Sequence, residues 1–245
     1  LILASTSLLG DTAFALRFFA PLAHLAVGAG VFLVGRRLFD ARTGFWAALL
    51  YSAAPGVSIS AGLMTTDPVM MAGWVLALYA LVRAMEVQPG PKTAEPWGWW
   101  VLMGVGVGLG MLAKYTAVAL PLGLLGYVIF SRETPITPSR RRGAALAAGA
   151  ALLVLSPNLV WNARHGFVTV THLGENAEVG RGGLVHPGEL AEFLGAQFGV
   201  IGPVAFLAIL AALVTLPFDP ARRGDWRERA LAWSAAPLLL AMCVQ

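Results

Sequence analysis

Long apolar runs recur along this chain and are separated by short segments that carry most of its charge. Only 12% of the 245 residues are charged, 58% are hydrophobic, and the mean hydropathy is +0.72. Soluble domains carry about 25% charged residues, and a run of about 18 apolar residues is long enough to cross a ~30 Å hydrocarbon core. The pattern therefore predicts an all-α fold, a polytopic helical membrane bundle.

The positions of these runs predict about eight membrane spans. An unbroken helix over residues 97–130 would be about 51 Å long at ~1.5 Å per residue, far longer than a bilayer requires. It would also leave Lys114 in the hydrocarbon, where an ammonium costs about 2.5–3.5 kcal/mol. We therefore expect two shorter spans that meet near Lys114 at a membrane face. Six further spans are expected over residues 12–34 (with Asp11 as N-cap), 45–63, 68–82, 144–160, 200–217 and 230–244.

Basic residues test this layout, because cytoplasmic loops of membrane proteins carry an excess of Lys and Arg. With the break at Lys114, one side of the membrane receives 13 of the 17 basic residues: Arg36, Arg37, Arg42, Arg83, Lys92, Arg132, Arg140, Arg141, Arg142, Arg222, Arg223, Arg227 and Arg229. A single span over residues 97–130 would remove this bias. The outer face then carries Asp67 with Arg17, Lys114, Arg164 and Arg181.

The outer face also receives residues 161–198, which are predicted to form a loop with a short helix. The chain opens in an apolar run without a methionine and closes inside another such run. We therefore expect residues 1–245 to be one transmembrane domain that is truncated at both ends.

Three ionic residues on the outer face are candidates for a functional site. Asp67 precedes Pro68, a pair typical of helix starts, so it is either an N-cap alone or a reacting carboxylate. Lys114 either extends its stem to the lipid headgroups without a further role or holds an anion, most plausibly a phosphate. Arg17 has the same two interpretations, and beside Lys114 it would complete a two-cation phosphate clamp.

Polar and aromatic residues near the outer face suggest a lid or an acceptor-binding surface over a cavity. The candidates are Tyr115, Asn158, Trp161, Asn162, Arg164, His165 and His172. Trp161 has an alternative interpretation as an interfacial anchor. His165 and His172 lack a third ligand in the sequence, so no metal site is predicted from the spacing.

The Gly-rich segment "GVGVGLG", residues 104–110, lies inside a predicted span and follows no strand. Small residues at this density let membrane helices approach closely, so we interpret the segment as a packing surface rather than a phosphate loop. No P-loop, dinucleotide fingerprint, zinc motif or nucleophile elbow is present in the sequence. The net charge of +4 comes from connecting loops and does not indicate a nucleic-acid partner.

An ordered set of segments resembles the bacterial family 39 glycosyltransferases, relatives of dolichyl-phosphate-mannose-protein mannosyltransferases and aminoarabinose transferases. The segments are "GDTAFALRFFAPLAHLAVGAGVFLVGRRLFDARTGFWAALLYSAAPG", "TTDPVMMAGWVLALYAL", "GLGMLAKYTAVALPLGLL" and "SPNLVWNARHGFVTVTHL". They cover nearly all of residues 8–215. The resemblance implies a GT-C fold in a bacterial inner (plasma) membrane, with its active site on the periplasmic side.

The same resemblance implies a reaction. Such enzymes transfer a sugar from a polyprenyl phosphate to a lipid, protein or glycan acceptor, commonly with inversion and one carboxylate base. The family's principal catalytic aspartate lies just before the region where this chain begins, so we expect the chain alone to be inactive. Asp67 matches a later acid near the same cavity and is our catalytic candidate, while Lys114 and Arg17 are the lipid-phosphate candidates. No cofactor is certain, and a divalent metal stays open.

A transporter or lipid flippase is the main alternative, because it would also gather charge within a helical bundle. Transporters often contain duplicated halves, and this sequence shows no internal repeat. A structural or assembly subunit is a second alternative, but it would not require Lys114 and Asp67 on the same face.

Overall fold

The computed structural model describes residues 1–87, 95–130, 137–169, 187–215, 218 and 225–244. All regular structure in these ranges is helical, which confirms the all-α prediction. The helices are α1 (Ile2–Leu9), α2 (Ala13–Arg17), α3 (Phe19–Leu38), α4 (Ala41–Ala53), α5 (Pro55–Ser60), α6 (Asp67–Glu86), α7 (Trp97–Ala113), α8 (Ala119–Phe130), α9 (Pro138–Arg164), α10 (Pro187–Ile201), α11 (Pro203–Thr215) and α12 (Trp226–Val244). A 3₁₀ turn, Tyr115–Val118, joins α7 to α8.

Three stretches of the described chain are helical, apolar and long enough to cross a membrane: Ala13–Leu38, which combines α2 and α3, then α6 and α9. Shorter apolar helices cover Trp97–Ala113, Tyr115–Tyr127, Ala191–Ile201 and Pro203–Thr215. These helices support a multi-pass membrane protein. The number of spans, about eight, stays a prediction.

The long apolar run is broken at Lys114, as the cost of a buried ammonium predicted. Helix α7 ends at Ala113, and Lys114 is extended, with φ −158° and ψ 126°. The chain then reverses. The evidence is that Leu120 and Leu124 of α8 lie in one buried cluster with Val107 of α7. The reversal brings Lys114 to the end of a helical hairpin.

Some element boundaries differ from the predicted ones. Thr12, and not Asp11, caps the first span, because its Oγ1 accepts a hydrogen bond from the Ala15 N–H at 3.1 Å. The predicted span over 45–63 is interrupted at Ala54, which is extended since proline at the next position disfavours helical backbone. Helix α9 begins at Pro138, so Arg140, Arg141 and Arg142 lie in its first turns rather than in a loop.

Glycines on two faces of α7 bring its backbone against both α6 and α9. A Cβ on Gly106 would lie 2.8 Å from Ala77 N of α6, and Gly110 faces Met70 O of the same helix. Gly104 and Gly108 face α9 instead, and a Cβ on Gly108 would lie 2.7 Å from Val154. The segment at 104–110 is therefore a packing surface, as predicted, and α7 lies between two closely packed neighbours.

The helix directions place Asp67 and Lys114 at one end of this bundle and Arg37 and Arg83 at the other. Asp67 begins α6, Lys114 follows α7 and Asn162 lies in the last turn of α9; we call this the Lys114 end. At the other end, the Arg37 end, Glu86 accepts ion pairs from Arg37 Nη1 at 3.5 Å and Arg83 Nε at 3.3 Å. The Arg83 guanidinium also lies over the Trp99 ring, 4.5 Å from its centroid.

The glycine contacts predict that stability falls sharply when a side chain is added at these positions of α7. We expect Gly106→Ala to lower stability by about 1–3 kcal/mol, because the added methyl group meets the backbone of Ala77 and Gly73, which cannot rotate away. Gly149→Ala is the matched control, since a Cβ there has no atom within 4 Å. Thermal unfolding of the full-length protein in detergent measures both; an equal midpoint for the two variants would contradict the packing assignment.

Candidate functional site

The Lys114 end contains an ion pair between residues from two different helices. The Lys114 ammonium donates a hydrogen bond to Asp67 Oδ1, with Nζ and Oδ1 2.7 Å apart. The Lys114 side chain is 44% exposed and the Asp67 side chain 47% exposed. The structure therefore brings together the acid and the lysine that the sequence singled out, and both charges are reachable from outside the bundle.

Asp67 does not act as the N-cap that the sequence allowed. It is the first residue of α6, Thr66 is the N-cap, and no side-chain hydrogen bond caps this helix start. The carboxylate nevertheless lies in the first turn, where the helix dipole favours a negative charge. Pro68 follows it, at a position where the missing N–H costs nothing. The local role of Asp67 is thus electrostatic.

A polar network fixes the backbone beside Lys114 to α9. The Tyr115 hydroxyl donates to Asn158 Oδ1, and Asn162 Nδ2 donates to the Tyr115 hydroxyl at 3.2 Å. Asn162 is only 2% exposed and also donates to Asn158 O and Oδ1, at 3.1 and 3.2 Å. Its own Oδ1 accepts from the Thr169 N–H at 3.3 Å. The amide of Asn162 is therefore well satisfied in spite of its burial.

Contacts on the opposite side hold the same turn to α6. The Thr116 hydroxyl donates to Met70 Sδ at 3.4 Å, while the Lys114 N–H donates to Gly110 O at 2.9 Å and ends α7. Lys114, Tyr115 and Thr116 are consecutive, and their side chains bind α6, α9 and α6 in turn. This alternation fixes the position of the turn, and hence the point from which the lysine side chain extends.

The end of α9 presents an aromatic pair at the surface. The rings of Trp161 and His165 are stacked, with centroids 4.4 Å apart and planes at 16°, and His165 Nδ1 lies 2.7 Å from Trp161 O. Trp161 is 49% exposed, and Arg164 between them is exposed as well. The structure places these predicted surface candidates together in the last helical turns of α9, next to Asn162.

Two of the predicted site residues are not assembled with this group. Arg17 is exposed at the end of α2, and no hydrogen bond or ion pair joins its side chain to another residue of the described ranges. His172 lies outside the described residues. Within those ranges, no group of three or more His, Cys, Asp or Glu residues is arranged to hold a metal ion.

Sequence reasoning named Tyr115, Asn158 and Asn162 but missed that they bond to one another. It also missed the contact between Thr116 and Met70. The two residues of each pair that includes Tyr115 or Thr116 are 43 to 47 positions apart in the chain, so only the fold reveals these pairs. The one available signal was the run of polar residues directly after Lys114, which is unusual inside an apolar region.

Comparison with known proteins gives a consistent picture. Residues 1–161 match the family model described as dolichyl-phosphate-mannose-protein mannosyltransferase. The chain is 30% identical over 246 residues to the lipid A galacturonosyltransferase RgtD of Rhizobium johnstonii, covering 100% of this chain and 49% of that protein. It is 32% identical over 161 residues to the undecaprenyl phosphate-alpha-4-amino-4-deoxy-L-arabinose arabinosyl transferase of Pseudomonas aeruginosa, covering 64% of this chain and 28% of that protein.

The chain thus spans about half the length of the first of these relatives and less of the second. No solved structure matches the chain.

The network at Tyr115 predicts strong coupling between its members. Tyr115→Phe is expected to lower the free energy of unfolding by about 0.5–1.5 kcal/mol, because it removes the hydrogen bonds of the Tyr115 hydroxyl to Asn158 and Asn162, while the two asparagines stay bonded to each other. Combined with Asn162→Leu, it should cost less than the sum of the single variants, with a coupling of about 0.5–3 kcal/mol. Unfolding midpoints of the single and double variants provide the measurement.

Tyr79→Phe serves as the control for this cycle. Tyr79 accepts a hydrogen bond from Arg83 at the Arg37 end, and it shares no partner with Asn162. Its effect should therefore add to that of Asn162→Leu within about 0.5 kcal/mol. Additivity of Tyr115→Phe with Asn162→Leu to the same extent would contradict the network.

Proposed function

The chain belongs to the dolichyl-phosphate-mannose-protein mannosyltransferase family, and on that premise we propose that it acts as a membrane glycosyltransferase. Its donor is a sugar carried on a polyprenyl phosphate, and its acceptor is a lipid at the periplasmic face of a bacterial inner membrane. The names of both relatives describe glycosyl transfer, one to lipid A and one from an undecaprenyl phosphate sugar. These names favour a transferase over a transporter, and a lipid acceptor over a protein or glycan.

The observation that carries the proposal is the approach of Lys114 to Asp67 at the Lys114 end. Transfer of a sugar from a phosphate leaves negative charge on the departing phosphate oxygen. A cation held nearby stabilises that charge electrostatically. A carboxylate close to the same point can remove a proton from the attacking hydroxyl. One site thus contains both kinds of group that the reaction needs.

In the proposed reaction the acceptor hydroxyl oxygen attacks the anomeric carbon of the donor sugar. A carbon–oxygen bond forms there while the bond from that carbon to the phosphate oxygen breaks. Polyprenyl phosphate leaves with the bonding electrons, and Lys114 holds its oxygens. Asp67 is the catalytic candidate that takes the hydroxyl proton. Arg17 is proposed as a second cation for the phosphate, which its exposed position on α2 permits.

The surface around the end of α9 is proposed to receive the acceptor. Tyr115, Asn158 and Asn162 hold the turn in place, and Trp161, Arg164 and His165 are exposed beside it. An exposed aromatic ring offers a flat apolar face, and a guanidinium suits phosphate or carboxylate groups of an acceptor. His172 keeps its predicted role in this surface. The proposal names no certain cofactor and leaves a divalent metal open.

Substitution of Lys114 tests the proposal in the full-length protein. Lys114→Ala is expected to reduce transfer by about 10²–10³-fold, because it removes the cation that stabilises the departing phosphate. Lys114→Arg should retain part of the activity. The measurement is the release of polyprenyl phosphate from lipid-linked sugars in membranes that contain the enzyme, with membrane insertion checked for each variant.

Arg37→Ala is the matched control. Arg37 is also a partly exposed cation in an ion pair, but it lies at the Arg37 end. Its loss should leave turnover within about twofold of the wild type, as expected for an exposed ion pair. Unchanged turnover in Lys114→Ala, or an equal loss in Arg37→Ala, would remove Lys114 from the site.

A further inference from the structure

In the proposed function the Lys114 ammonium binds the donor phosphate. In the structure, however, that ammonium is already hydrogen-bonded to Asp67. A carboxylate that accepts this bond has less capacity to accept a proton from an acceptor hydroxyl. The closed pair therefore weakens both proposed roles, because it partly neutralises the cation for the phosphate and the carboxylate for the hydroxyl proton.

We propose that Asp67 is the resident counter-ion of Lys114 and that the phosphate of the donor displaces it. The carboxylate then becomes free to act on the acceptor only once the donor is in place. This inference rests on the proposed function. It adds an order of events to that function, in which donor binding exposes the base.

Because the ion pair is exposed, little free energy is needed to separate Lys114 from Asp67. Both side chains are nearly half exposed, and ion pairs of this kind contribute little to stability because water competes for each charge. A phosphate carries several acceptor oxygens and forms stronger, charge-assisted hydrogen bonds with an ammonium. The phosphate can therefore replace the carboxylate without a large rearrangement of the protein.

The surrounding contacts confine the exchange to side chains. Tyr115 is bonded to α9 and Thr116 to α6, so the backbone that carries Lys114 is held from both sides. The lysine side chain, by contrast, is a flexible chain of four methylene groups with a compact charge at its end. We infer that the ammonium turns from the carboxylate to the phosphate while the turn itself stays where it is.

The released carboxylate remains stabilised after it leaves Lys114. Asp67 is in the first turn of α6, so the positive end of the helix dipole still acts on it. The helix dipole thus favours a carboxylate that is free when an acceptor arrives.

Binding of the donor's carrier tests the exchange directly. Undecaprenyl phosphate is titrated into full-length protein in phosphatidylcholine nanodiscs, and its Kd is measured for the wild type and for Asp67→Asn. Asparagine keeps the shape of the side chain but loses the charge that competes for Lys114. We expect Asp67→Asn to bind undecaprenyl phosphate about two- to fivefold more tightly, because the competing ion pair is gone. Its sugar transfer should fall at the same time.

Four further arms separate the exchange from other effects. Glu86→Gln is the matched control, since it neutralises an acid in an exposed ion pair at the Arg37 end and should leave the Kd unchanged. Lys114→Ala should weaken binding and abolish the gain produced by Asp67→Asn in the double variant. Undecaprenol, which lacks the phosphate, should bind the wild type and Asp67→Asn equally. Inorganic phosphate tests whether the headgroup alone is recognised, and it should compete more effectively in Asp67→Asn.

The outcomes distinguish the exchange from the proposed function. If Asp67→Asn leaves the Kd unchanged or raises it while Lys114→Ala still weakens binding, the exchange is wrong and the phosphate site stands. If wild-type protein does not bind undecaprenyl phosphate, the proposed function fails and the exchange fails with it. Asp67→Ser provides a second neutral variant at the same helix start, and it must show the same gain in affinity as Asp67→Asn.

Discussion

An ammonium group is too costly to leave in the hydrocarbon of a membrane, and this cost shapes the part of the chain around Lys114. Helix α7 ends one residue before it, the chain reverses through a 3₁₀ turn, and α8 returns to share a buried cluster with Val107 of α7. The reversal brings the lysine to the start of α6, where Asp67 neutralises it. The other contacts of the candidate site are arranged around the point at which this side chain leaves the helical bundle.

The precision of the site comes from helix packing that contains no charge at all. Glycines on opposite faces of α7 let its backbone contact α6 on one side and α9 on the other. The ends of α6, α7 and α9 are consequently held at fixed distances from one another. The polar contacts of Tyr115 and Thr116 fix the orientation of the 3₁₀ turn, since one joins it to α9 and the other to α6.

The sequence predicted the parts of this arrangement that follow from a large energetic cost or a strong local pattern. The break at Lys114, its approach to Asp67 and the packing role of residues 104–110 belong to this class. Thr12 replaced Asp11 as a cap because caps differ by only tenths of a kcal/mol, so local geometry decides between adjacent candidates. The bonds of Tyr115 could not be predicted, since they join residues that are distant in sequence and depend on how α9 is rotated.

The glycine contacts also restrict the route by which the isoprenoid chain of the proposed donor could reach Lys114. Between α7 and its two neighbours the backbones are so close that even a methyl group would collide, so neither seam can admit a hydrocarbon tail. The proposed donor would therefore have to approach the lysine along the outside of these three helices, with its hydrocarbon tail beside them rather than between them.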